Sequence, residues 1–283
     1  MRRFASTWEV SETFVKRRRV EFASRHLARE GPVVVALHCS GSSYKQWSSL
    51  AVALENSGGF SRLVAPNLFG SGRTEPWRGG EQTLDDQAAL VRACVDEPCL
   101  IVGHSHGGSV AIRCGDLALG LVLFEPNHFF LLGQDLDALT FVHRMRAAAE
   151  ADDRDEWGRL FWDFWFRQSD DDVWDDLAPD LKRKLVDPTL PHTYHEITSL
   201  LLAMGPGVER DLVVLDALGD KVHLLLSPEP GLGFRPVLAR YRRLFATLGA
   251  QVFDAPVGGH VAPITHPDPT AAFVASHLLS LLK

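Results

Sequence analysis

In the run Cys99-Leu100-Ile101-Val102-Gly103-His104-Ser105-His106-Gly107-Gly108, one serine stands with a glycine two residues away on each side. An apolar stretch precedes it and a helical pattern follows. A sharp strand-to-helix turn would hold such a serine in a strained backbone conformation, and flanking glycines would relieve the steric conflict that the turn creates. The Ser105 hydroxyl would then stand at the C-terminal edge of a sheet, above a helix N-terminus whose dipole and free N–H groups favour developing negative charge. The chemistry such a placement serves is nucleophilic attack by Ser105. The bland alternative is a glycine-rich turn with no chemistry. Twelve histidines are present, so none identifies a base by its mere presence. His104 and His106 flank the serine as pocket wall or as packing. His192 and His195 are three apart but have no third ligand type beside them, so no metal site is expected there.

The elements needed to position Ser105 are readable as alternating strand and helix patterns. Val33–Leu37 is an apolar, β-branched run expected to be a buried strand. A helix is expected over Trp47–Asn56, a strand over Arg62–Ala65, and a helix from the Thr83 cap to Val95. Cys99–Val102 reads as a strand, Ser105–Cys114 as a helix and Leu119–Phe124 as a strand. Further on come a strand at Val222–Leu226, a helix at Pro236–Leu248, a short strand at Gln251–Phe253 and a helix at Pro269–Leu282. Near the start, Lys16-Arg17-Arg18-Arg19 lies between two strand-like runs and reads as the turn and solvent face of a hairpin. This alternation predicts an α/β fold, a mostly parallel central sheet flanked by helices.

A different region interrupts the pattern. Residues 133–205 hold no strand candidate but carry Trp157, Phe161, Trp162, Phe164, Trp165, Phe166 and Trp174. Residues 133–204 contain 16 Asp+Glu against 8 Lys+Arg, a net of −8, so with −7 overall the rest of the chain carries about +1. The expected division is a core of residues 1–132 and 206–283 with a helical cap inserted at 133–205. The acidic residues around Asp152–Glu156 and Asp170–Asp172 are expected on a solvated face. The aromatics suit either the cap's own packing or an apolar wall over the serine.

Over nearly its whole length the chain resembles enzymes of the α/β-hydrolase fold, and three segments besides the serine turn carry the likeness. Leu37-His38-Cys39-Ser40-Gly41-Ser42-Ser43 is similar to the family's His-Gly-x-x-Gly loop, with Cys39 where the family usually has glycine. Val64-Ala65-Pro66-Asn67-Leu68-Phe69-Gly70-Ser71-Gly72-Arg73-Thr74 is similar to a mainly structural loop that usually carries Asp in place of Asn67. Val257-Gly258-Gly259-His260-Val261-Ala262-Pro263 lies between the last strand and last helix, where the family places its general base. The resemblance implies Ser105 as nucleophile, His260 as base, and an oxyanion hole formed by the backbone N–H groups of Ser40 and His106.

The third member of a triad is a carboxylate that orients the histidine. Most family members supply Asp after the strand equivalent to Val222–Leu226, where this chain has Ser227-Pro228-Glu229-Pro230. Glu229 is the only acid in that loop and stays an alternative. Glu125 ends the apolar run Leu121-Val122-Leu123-Phe124, and a charged group there needs a partner. This resembles the minority of the family, haloalkane dehalogenases among them, whose acid follows that strand. Glu125 is the expected acid.

A serine nucleophile implies acyl transfer to water through an acyl-enzyme, on an ester, lactone, thioester or C–C bond. It is unlike the Asp nucleophile of dehalogenases and epoxide hydrolases in this fold. A small, hydrophobic substrate is the expected partner. Two readings from other classes share these residues: a ligand-binding receptor with slow turnover, and an acyltransferase or cyclase. No phosphate-binding or dinucleotide fingerprint is present, and the chemistry needs no cofactor or metal. The net charge argues against a nucleic-acid partner. No apolar run reaches membrane-spanning length, and residues 1–6 have no apolar core of a signal peptide. The four cysteines lack zinc-ligand spacing or a disulfide framework, so a cytoplasmic setting is expected.

Overall fold

In the computed structural model, which describes residues 7–28, 30–133 and 135–283, eight strands form one sheet. Residues 1–6, on which the absence of a leader was read, lie outside the described residues. The strands are β1 (Glu9–Val15), β2 (Arg18–His26), β3 (Val33–Leu37), β4 (Arg62–Pro66), β5 (Cys99–His104), β6 (Ala118–Phe124), β7 (Val222–Leu226) and β8 (Gln251–Asp254). Their order is β1-β2-β4-β3-β5-β6-β7-β8. The β1–β2 and β2–β4 pairs are antiparallel and every other pair is parallel. In the first hairpin only Lys16 and Arg17 form the turn, both with positive φ, while Arg18 and Arg19 belong to β2. A two-residue turn of this hand matches the twist of the strands it joins.

The helices are α1 (Ser48–Ser57), α2 (Leu84–Arg92), α3 (His106–Arg113), α4 (Leu136–Glu150), α5 (Arg154–Trp165), α6 (Pro179–Leu202), α7 (Pro206–Leu218), α8 (Arg235–Thr247), α9 (Ala262–Thr265) and α10 (Pro267–Ser280). Thr83 caps α2 through a reciprocal pair with Asp86, as its sequence position suggests, although the helix ends three residues before Val95.

The central strands are fully buried because both faces of the sheet are covered. Alternate residues divide between two cores. Val34, Ala36, Leu100, Val102, Val122 and Leu225 pack with α1 and α10. Val35, Leu37, Ile101, Leu121, Leu123 and Leu224 face the other way, toward α2, α3 and α8. The second core continues without a break into Val142, Trp157, Phe164 and Leu190 of α4–α6. These three helices lie between β6 and β7 in the chain, and no strand interrupts them among the described residues. By contrast α7 is tied to the sheet-flanking layer: Arg113 of α3 makes two hydrogen bonds to buried Asp211, at 2.8 and 2.7 Å. His128 bonds the same carboxylate at 2.7 Å. The acidic residues Asp152, Asp153, Asp155, Asp170 and Asp171 are exposed.

Candidate active site

Ser105 sits at the junction of β5 and α3 with φ 53° and ψ −119°. The glycines around it are there for close approach. A Cβ on Gly103 would come within 2.5 Å of the Gly107 carbonyl oxygen, and one on Gly107 within 2.3 Å of the Leu37 carbonyl oxygen. Both distances are impossible for a real side chain, so strand, turn and helix can meet this tightly only with glycine at both positions.

His260 reaches the same point from the loop after β8. Its Nε2 lies 3.1 Å from Ser105 Oγ and its Nδ1 2.8 Å from Glu125 Oε2. Glu125 is fully buried and follows β6 with φ 41°. Its other oxygen, Oε1, accepts the Ser227 backbone N–H at 2.7 Å and also the Ser227 hydroxyl. The loop after β7 thus supplies a serine that steadies the carboxylate. Glu229, two residues on, is exposed and meets its surroundings through its backbone: its N–H donates to the Gly258 carbonyl at 3.2 Å, and its carbonyl accepts from Gln168 Nε2 at 3.2 Å. The structure brings together Ser105, His260 and Glu125, and leaves the Glu229 carboxylate out.

Ser40, in the loop after β3, lines the same cavity as Ser105, and His106 follows Ser105 as the first residue of α3. Helix position leaves the His106 N–H without an intrahelical acceptor. Cys39 does not have positive φ, so the usual glycine is not required there, and the left-handed residue of this loop is Gly41, with φ 67°. The loop is held from behind by His38, whose Nε2 accepts the Leu68 N–H at 3.0 Å and whose Nδ1 therefore donates to the Cys39 carbonyl at 2.7 Å. Burial drives the His38 pKa down to about 4 and that of His106 to about 3, so both are neutral rings at physiological pH. Burial, reinforced by nearby Glu196, pushes the Cys39 thiol up to about 12. That excludes a thiolate beside the serine. Asn67 is buried and structural, accepting the Tyr44 N–H at 2.8 Å.

A cavity of about 530 Å³ opens from Ser105 and His260. Trp157, Phe161, Trp165 and Phe166 line it, with Phe129 and Phe141. The other aromatics of the insertion pack elsewhere: Phe164 stacks on Phe141 at 3.7 Å, Trp162 bonds the Asp172 carbonyl, and Trp174 bonds Asp155. Trp165 lies flat on the His260 ring, centroids 3.6 Å apart and planes 19° from parallel. Nothing in the sequence singles it out from its aromatic neighbours. A second residue missing from the sequence reading is Glu196 of α6, which borders the cavity and accepts a hydrogen bond from the Ser40 hydroxyl. Burial raises its pKa. His192 and His195 belong to no group of three metal-ligand side chains among the described residues.

A model of the alpha/beta hydrolase family matches residues 34–273. The chain belongs to this family. A stretch of 113 residues is 32% identical to the lipase LipV of Mycobacterium tuberculosis (strain H37Rv), covering 36% of this chain and 41% of that lipase. Among solved structures, a loop variant of the haloalkane dehalogenase DbeA from Bradyrhizobium elkanii is similar, with TM-score 0.66 and 19% identity over 98% of each chain. The alpha/beta hydrolase MGS-M2 from a deep-sea metagenome gives 0.69 at 16% identity, over 95% of this chain and 97% of that one. A thermophilic esterase from Thermogutta terrifontis gives 0.62 at 17%, over 98% and 100%. Likeness at these identities carries the fold alone. Among the described residues, no helix is long and apolar enough to cross a membrane.

Proposed function

We propose that this alpha/beta hydrolase is a serine hydrolase that cleaves a carboxylic ester, or a related lactone, thioester or C–C acyl bond, in a small hydrophobic substrate. The observation that carries this reading is the line Ser105 Oγ–His260 Nε2, His260 Nδ1–Glu125 Oε2, at 3.1 and 2.8 Å, on the wall of an apolar cavity.

In this mechanism His260 takes the Ser105 proton on Nε2 as Oγ attacks the acyl carbon. Glu125 accepts the Nδ1–H, which fixes the productive tautomer and stabilises the imidazolium. The Ser40 and His106 N–H groups stabilise the tetrahedral oxyanion, a contribution of about 3 kcal/mol for each well-aimed donor. His260 then returns its proton to the leaving group, and a water molecule repeats the sequence on the acyl-enzyme. The steps consume only substrate and water. Helices α4–α6, within residues 133–205, serve as the cap, and their aromatics select an apolar or aromatic acyl group. The flat Trp165 face supports the imidazolium through its negative π surface.

Treatment with a fluorophosphonate followed by intact mass and aryl-ester turnover tests the reading. Labelling at Ser105 together with turnover supports a hydrolase. Absence of labelling refutes a serine nucleophile, and labelling without turnover to water points to a receptor or an acyltransferase.

A further inference from the structure

Behind the Ser105–His260 contact, a second line of hydrogen bonds joins two loops that are far apart in the chain. His104 is fully buried. Its Nε2 lies 2.8 Å from the His260 carbonyl oxygen and its Nδ1 3.1 Å from Gln46 Nε2. Gln46 Oε1 in turn lies 3.2 Å from the Cys39 backbone nitrogen. The two backbone ends dictate every orientation between them. A carbonyl only accepts, so His104 Nε2 carries the hydrogen. The neutral ring then offers Nδ1 as a bare acceptor, which the Gln46 amide nitrogen fills as donor. The Gln46 oxygen is left to accept the Cys39 N–H, a group that only donates. A second proton on His104 would face the Gln46 NH₂ and break the line.

We propose that His104 and Gln46 are positioning residues that hold the Cys39–Ser40 loop and the His260 backbone at a fixed separation across Ser105. In assigning what those loops do, it rests on the serine-hydrolase reading above. One end is adjacent to Ser40, the proposed oxyanion donor, and the other is the backbone of the proposed base. A slip at either end would move one partner relative to Ser105 without touching the substrate. A displacement on the order of 1 Å costs about 100-fold in rate. Burial, then the neighbouring His260, drives the His104 pKa well below the ordinary histidine range, in keeping with a ring that stays neutral. A merely space-filling role would need only its edge-on contact with Phe124, at 5.5 Å.

Two variants separate these roles. His104→Phe keeps a ring against Phe124 and removes both hydrogen bonds. Gln46→Glu keeps the shape and places a carboxylate against Nδ1, a contact that needs one added proton between the two, which the more basic imidazole takes. The titratable groups facing that ring are His260 and His38, and the His260 centroid is 5.1 Å away.

The first measurement is ¹⁵N NMR of histidine-labelled protein, with the His104 signals assigned by their loss in His104→Phe. The wild type is expected to show His104 as the neutral Nε2–H tautomer from pH 5 to 9, and Gln46→Glu to show both its nitrogens protonated. An Nδ1–H or charged His104 in the wild type overturns the proposal. The second is steady-state hydrolysis of an aryl ester. His104→Phe and Gln46→Leu are each expected to lower kcat by about 100-fold with KM changed less than threefold, and the double variant to lose no more than the worse single. Gln46→Glu is expected to move the acid limb of the kcat/KM profile to lower pH. Full kcat in His104→Phe, or additive losses in the double variant, overturns the proposal. The tautomer measurement needs no turnover. A wild type that neither takes the fluorophosphonate label at Ser105 nor hydrolyses an ester therefore refutes the hydrolase reading, while the tautomer still decides the relay.

Discussion

Replacing Glu125 by Gln changes one oxygen to an NH₂ and nothing in shape, so its effect can be worked from the partners on each side. Oε1 faces the Ser227 backbone N–H, which can only donate. The amide oxygen of Gln must stay there, and its NH₂ must face His260 Nδ1, where Oε2 now lies at 2.8 Å. Nδ1 is then forced to accept, so Nε2 carries the proton of the neutral ring. A ring protonated on Nε2 cannot take a proton from Ser105 Oγ, 3.1 Å away. The backbone of the loop after β7 thus locks the variant in the wrong tautomer, and the imidazolium loses its counter-charge. An equivalent exchange in a serine-protease triad lowers kcat about 10⁴-fold, or about 5 kcal/mol in activation free energy. Glu125→Gln is expected to lose kcat on that scale with KM nearly unchanged, and Glu229→Gln to match the wild type, because the Glu229 side chain is exposed. The assay is steady-state hydrolysis of an aryl ester, with melting curves for both variants. The reasoning is refuted if Glu229→Gln loses several orders of magnitude while Glu125→Gln remains within tenfold of the wild type.

Trp165→Ala removes the ring stacked on His260. Losing about 1 kcal/mol of stacking should lower kcat about fivefold to tenfold, with Trp165→Phe recovering most of it; equal kcat in both variants would remove Trp165 from the argument. Gly107→Ala drives a Cβ into the Leu37 and His38 carbonyl oxygens. It should destabilise the fold by about 3 kcal/mol or more, seen as a melting temperature lower by roughly 6 °C or more; a shift under 2 °C contradicts the close approach. His38 has its pKa lowered from 6.5 to about 4 by burial. The unfolded chain therefore binds the extra proton first, stability is full above about pH 6.5, and it falls as pH drops toward 4. At pH 5 the loss from this residue is on the order of 2 kcal/mol. Urea midpoints at pH 7.5 and 5.0 in wild type and His38→Gln check this, and an equal drop in both would refute the assignment to His38.

Much of the scaffold is legible in the sequence because burial writes it there. Strands β3, β5 and β6 carry apolar runs, and β7 one interrupted by His223, since both faces of the sheet are covered. Ser105 stands out because the turn admits nothing but glycine at Gly103 and Gly107. Glu125 is readable for a related reason, as a charge at the end of an apolar strand. The rest depends on contacts with no local signature. His104 meets Gln46 across 58 positions and His260 across 156, and no periodicity links them. Ser227 looks like part of an ordinary Ser-Pro turn, yet it holds the carboxylate. In α5 aromatics crowd both faces of the helix, so the pattern does not single out Trp165 to cover His260 and Phe164 to pack away from it.

The position of Glu125 at the end of β6 bears on how helices α4–α6 are attached. Ser105 and Glu125 both have positive φ, a strain of about 1–3 kcal/mol each. Hydrogen bonds that extend the sheet one residue beyond its strands hold them there. The Ser105 N–H donates to the Phe124 carbonyl at 3.0 Å, and the Glu125 N–H to the Leu225 carbonyl at 3.1 Å. With the Glu125 carboxylate carried at the end of β6, the loop after β7 meets it through Ser227 and makes another contact besides. It makes that contact with the end of α5: Leu232 N–H donates to the Arg167 carbonyl at 2.8 Å, Gly233 N–H to Asp163 at 3.2 Å and Phe234 N–H to Phe164 at 3.1 Å. A Cβ on Gly231 would strike the Phe164 carbonyl at 2.4 Å, which keeps this approach tight. The helix that lays Trp165 on His260 is therefore bonded to the core. Among the residues that line the cavity, Lys184 of α6 and Ile264 of α9 are exposed. The bonds from the loop after β7 to the end of α5 thus hold the aromatic wall, Trp165 included, against the His260 ring.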